Sequence, residues 1–158
     1  MKYKIIKLDT PNGECDAELR IVYHTENACT QGNAPIISVG ITYGNQEFRG
    51  YSKSSTPEIA YANLQKSLPA GVFLKCCLTC RHGNMCPYSN DDAVYCTKDY
   101  TVTSKDDVCN LIDRIVKQDF GELDARQRDY GDFCESYLPQ DDAHYTYNDY
   151  SYYITAHK

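Results

Sequence analysis

Between Lys75 and Cys96 the chain carries Cys76, Cys77, Cys80, Cys86 and Cys96, five of its nine cysteines. No other stretch restricts the fold so tightly. Cys77 and Cys80 form a C-x-x-C pair, whose short loop lets two thiolates turn toward one point. Gly83 follows, where a tight turn calls for positive φ. Cys86 and Cys96 extend the order to C-x2-C-x5-C-x9-C. Four thiolates in a short loop suit a tetrahedral structural zinc site. The spacing therefore assigns Cys77, Cys80, Cys86 and Cys96 as ligands of one ion.

Two neighbours leave alternatives open. Adjacent cysteines point in different directions, so Cys76 and Cys77 do not both bind one ion, and Cys76 reads as a small core residue. His82 is a candidate nitrogen donor in place of Cys86, or a residue outside the ligand set. An iron–sulfur cluster is the rival cofactor. Cys86-Pro87 matches the Cys-Pro that ends a bacterial ferredoxin run, but the C-x2-C-x2-C part is absent. A set of reduced, buried cysteines with no metal is the bland alternative.

A chain of 158 residues is long enough for a real core. Its net charge of −6 is confined to one end. Residues 1–118 carry 13 basic and 13 acidic side chains, and residues 119–158 carry 3 and 9. That balance lacks the footprint of a phosphate-backbone binder, so nucleic acid is not an expected partner. The segment Met1–Leu8 has no long apolar core, and no stretch reaches membrane-spanning length. A cytoplasmic location is the expectation, where an odd number of cysteines reads as thiols and metal ligands, not disulfides.

Along the chain, Tyr3–Leu8, Glu18–His24, Ile36–Tyr43 and Gln46–Ser52 read as strands. Pro11-Asn12-Gly13 and Gly44-Asn45 are turn signals, and 27–35 is a polar loop containing Cys29. Ser55-Thr56-Pro57-Glu58 opens a helix, with a cap, a first-turn proline and a glutamate at capping-box spacing. Val72-Phe73-Leu74 reads as a short buried strand. Ser104 caps a second helix, in which Val108, Leu111, Ile112 and Ile115 form a core-facing stripe. Phe120–Arg128 adds a helical turn or two, and Phe133–Leu138 a strand. In the Tyr-rich segment 140–158, Asn148-Asp149 suggests a hairpin turn between alternating tyrosines, with a frayed end as the alternative. The expected fold is a single α+β domain over 1–158. An antiparallel sheet packs on two amphipathic helices, and a cysteine-rich metal loop, 76–96, is embedded between them.

No nucleophile elbow, phosphate loop, dinucleotide fingerprint or H-E-x-x-H is present. Cys15, Cys29 and His24 lie near one another in sequence without an orienting third residue. With the helix before it, the run from Cys77 to Tyr88 resembles small uncharacterised bacterial proteins bearing a CxxC-x5-C-x9-C motif, over about residues 55–100. The resemblance implies no activity or substrate. The expectation is a cytosolic, non-enzymatic binding or adaptor module with a structural zinc and an unknown protein partner. An iron–sulfur or thiol redox protein is the alternative.

Overall fold

The computed structural model describes residues 1–24, 36–86 and 93–155. The polar loop expected over 27–35, with Cys29, lies outside them, as do Asp91 and Asp92. The chain is α+β and gathers into two compact units. One comprises Met1–Lys75 with the segment from Tyr152, and the other Cys76–Ser151.

In the first unit, β1 (Lys2–Thr10), β2 (Gly13–Tyr23), β3 (Ile37–Tyr43), β4 (Gln46–Ser52) and β5 (Phe73–Lys75) form one antiparallel sheet in the order β4-β3-β2-β1-β5. Strand β2 begins five residues earlier than its β-branched centre suggests. The cause is register: β1 pairs with it without a break from Lys2↔Ile21 to Thr10↔Gly13. One face carries the core, with Ile6, Leu8, Leu19, Ile21, Ile37, Val39, Ile41, Phe48 and Leu74 buried. The other face is charged. Lys7 reaches Asp16 at 2.7 Å, Glu14 pairs with Lys75, and Glu47 is held by Arg20 and Arg49. Phe73, expected in a buried strand, is exposed on that face, because Val72 and Leu74 take the inner positions of the edge strand.

Helix α1 (Pro57–Ser67) packs on β3 and β4. Its N-cap is Thr56, with Pro57 in the first turn, but the Thr56 side chain makes no capping bond. Glu58, one residue too early for a capping box, is buried. The helix lies so close to β4 that a Cβ on Gly50 would stand 1.9 Å from the Ala60 carbonyl oxygen and 2.2 Å from the Leu64 nitrogen. Only glycine fits there.

The second unit holds a small antiparallel sheet of β6 (Gly83–Asn84), β7 (Val94–Cys96) and β8 (Gln127–Arg128), with β7 central. Helices α2 (Lys105–Gln118) and α3 (Phe120–Arg126) follow β7. Ser104 caps α2 by accepting the Asp107 amide at 3.1 Å. The predicted stripe of Val108, Leu111, Ile112 and Ile115 is buried. Within its own unit, Val108 and Ile112 of this stripe close on Tyr95 of β7.

The segment Phe133–Leu138 is not a strand. It turns, with the Tyr137 amide donating to the Cys134 carbonyl at 3.1 Å, and next to it Pro139 makes an isolated bridge to Cys80. Nor is Asn148-Asp149 a hairpin. The chain enters a short helix, α4 (Asp149–Thr155), whose start is held by Asn148 Oδ1 accepting the Ser151 amide at 3.2 Å. The local side-chain bond of asparagine favours a helix start over a β-turn.

Candidate metal centre

The cysteine window opens the second unit as a knuckle. Cys77–Thr79 make one 3-10 turn. The Thr79 and Cys80 amides donate to the carbonyls of Cys76 and Cys77 at 3.1 and 3.3 Å, and the Gly83 amide donates to the Cys80 carbonyl at 3.0 Å. Gly83 does not have the positive φ that its turn position suggested. Its requirement is steric, since a Cβ there would stand 2.0 Å from the Cys77 carbonyl oxygen. From Gly83 the chain enters β6, which sets Gly83 opposite Cys96 on β7. The pairing carries Cys96 to the mouth of the knuckle.

A second stretch, 130–148, wraps the knuckle through its backbone. The Cys77 amide donates to the Asp132 carbonyl at 2.6 Å, the Leu78 amide to Tyr130 at 3.2 Å and the Arg81 amide to Leu138 at 2.9 Å. The buried Asn148 amide group donates to the carbonyls of Leu78 and Gly83 at 3.1 and 2.8 Å. Asn84, fully buried, bridges the Thr97 hydroxyl and the Tyr147 amide. Arg81 binds Asp141 at 2.6 Å.

These elements border a partly open pocket of about 10 Å³, lined by Cys77, Cys80, Cys96 and Cys134 with His82, Gly83, Val94, Arg128 and Ser136. A space of that size takes one small ion or one water and no more. Among the described residues, no three His, Cys, Asp or Glu side chains already stand grouped as a metal-binding set. Facing one pocket is a looser condition than coordination, which needs each sulfur about 2.3 Å from the ion.

Three of the four residues assigned by spacing, Cys77, Cys80 and Cys96, thus meet at one pocket. Cys86 is not on its wall. It packs against the cluster of Tyr95, Val108 and Ile112. Cys76 is fully buried away from the pocket wall, with its sulfur 3.9 Å from the Thr79 hydroxyl. Cys134, from the turn after Asp132, occupies the wall instead. Nothing in the local spacing marks it, since it lies far along the chain from Cys96.

Burial pushes the Cys76 thiol up to about 11. Burial also raises Cys77, reinforced by the charges of Cys76, Cys134, Asp132 and Cys80. For Cys80, burial raises the thiol, the backbone at Leu138 and His82 opposes the rise, and Cys134 and Cys96 add to it. Burial and neighbouring Arg81 lower His82. Such thiols are protonated and poor nucleophiles at neutral pH. A bound cation would invert that balance.

The fold and pocket define an α+β protein with a thiol-walled knuckle. Compared with protein-family models, curated proteins and solved structures, the chain matches none.

Proposed function

We propose that the knuckle pocket is a structural zinc centre and that the protein is a non-enzymatic binding module for a protein partner. The observation that carries the reading is the convergence of Cys77 and Cys80, from the knuckle turn, and Cys96, from strand β7, on a pocket with room for one ion. Zinc closed by protein thiolates has no open position for water, so it serves folding and not chemistry. A binding role is supported by Tyr3, Ile5, Tyr51 and Phe73, large side chains standing exposed on the charged outer face of the five-stranded sheet. Among the described residues no helix is long and apolar enough to cross a membrane.

Elemental analysis of the full chain, purified without chelator, tests the reading. About one zinc per chain is expected, with a colourless protein and a melting curve that falls under strong chelator. Brown protein carrying iron and acid-labile sulfide would turn the assignment to an iron–sulfur protein. Protein free of metal, with a chelator-insensitive melting curve, would end the metal reading.

A further inference from the structure

We propose that Cys134, and not Cys86, is the fourth thiolate of this centre, which presupposes the zinc reading above. The ion would then tie the irregular turn after Asp132 to the knuckle and β7.

The first ground is the pleat of β7. Successive side chains of a strand point to opposite faces. Val94 and Cys96 line the pocket, whereas Tyr95 turns the other way into the helix cluster with Val108 and Ile112. Cys86 packs on the Tyr95 side. A single ion held by Cys96 therefore cannot also take Cys86 unless the short sheet is rebuilt.

The second ground is the seating of Cys134. The segment around it is pinned on both sides to the knuckle backbone, by Asp132 to Cys77 at 2.6 Å and by Leu138 to Arg81 at 2.9 Å. Between those pins Cys134 lines the pocket with Cys77, Cys80 and Cys96.

The third ground is charge. Four thiols lose four protons to solvent as one Zn²⁺ binds, leaving a centre of net charge −2. Arg128, set opposite Val94 by the β7–β8 pairing, lines the same pocket and offsets part of that charge.

Cobalt(II) substitution of the full chain reads the ligand set directly. The wild type is expected to give the intense sulfur-to-cobalt bands of a four-thiolate site. Cys134→Ser should lower that intensity by about a quarter, the share of one thiolate in four. Cys86→Ser and His82→Ala should leave the spectrum unchanged. Loss at Cys86→Ser or His82→Ala, with Cys134→Ser intact, would overturn the assignment while the metal reading survived. A wild type that binds neither zinc nor cobalt would remove both. If Cys134→Ser does not fold, thiol alkylation of the wild type decides. On chelation Cys77, Cys80, Cys96 and Cys134 should become reactive in step, and Cys86 should not follow. Cys86 moving with the set in place of Cys134 would refute the proposal.

Discussion

Replacing Gly50 with alanine tests the packing of the first unit at a single atom. The added Cβ would meet the backbone of Ala60 and Leu64 at 1.9 and 2.2 Å, and no side-chain rotation relieves a backbone clash. Helix α1 must withdraw from β4 by more than 1 Å. A gap of about 1 Å forfeits up to about half of a dispersion contact. The contacts at stake involve Leu64 on the helix and Val39, Ile41 and Phe48 on the strands it covers, all buried. Each such side chain contributes ~1.5–3 kcal/mol when fully buried. Losing a fraction of several sums to about 3 kcal/mol, at the upper end of the usual cost of overpacking. Gly40 supplies a matched control one strand away. A Cβ there would meet the Phe48 carbonyl oxygen at 3.3 Å and the flexible Arg49 side chain at 3.4 Å. Gly40→Ala should therefore cost less than ~1 kcal/mol, because removing a strand glycine also stabilises. Urea unfolding followed by circular dichroism measures both. If the two variants unfold within about 1 kcal/mol of each other, the helix does not cross β4 at Gly50 and the packing argument fails.

Asn148→Ala should destabilise by ~1–3 kcal/mol, because the Gly83 carbonyl loses its Asn148 donor and the Ser151 amide its acceptor, while Gln140 still donates to Leu78. Faster hydrogen exchange at the Gly83 and Cys80 amides would accompany it, and an unchanged melting temperature would refute the clamp. At the start of α2, the Thr103 hydroxyl and backbone and the Ser104 side chain hold the Asp107 carboxyl below the ordinary aspartate value. A lowered folded-state value means stability present above the ordinary value of 3.8 and lost as the pH falls through the lowered one. Asp107→Asn keeps an acceptor and removes the charge. Its deficit in urea midpoint should be full at pH 7 and shrink below pH 3.8, and a deficit unchanged down to pH 2 would count against the charge as its cause.

Local rules made much of the first unit readable. Alternation marked β3 and β4, and Pro11-Asn12-Gly13 and Gly44-Asn45 marked both hairpins. The heptad-like stripe from Val108 to Ile115 was equally plain, because a helix face is written in residues three and four apart. What the stripe packs against is not local, and the small sheet carrying Tyr95 has strands too short for periodicity to reveal. The same limit governs the site. Cys77, Cys80 and Cys96 announce themselves by spacing, but the side of β7 that Cys86 occupies depends on the pleat. The arrival of Cys134 depends on hydrogen bonds made by Asp132 and Leu138 across a long span of chain. The tyrosine-rich end misled because β-propensity in tyrosine measures a surface it packs on, and the Asn148 side chain decided for helix.

The wrapping of the knuckle by residues 130–148 also has a meaning in time. During synthesis Cys77 and Cys80 leave the ribosome roughly 50 residues ahead of Asp132, a delay of ~3–10 s at 5–20 residues per second. Throughout that interval the amides of Cys77, Leu78 and Arg81 have no carbonyls from Asp132, Tyr130 and Leu138 to bind. The nascent thiols stand open to solvent, to oxidants and to whatever cation the cell supplies. The order of translation thus exposes the knuckle before the strap that covers it exists.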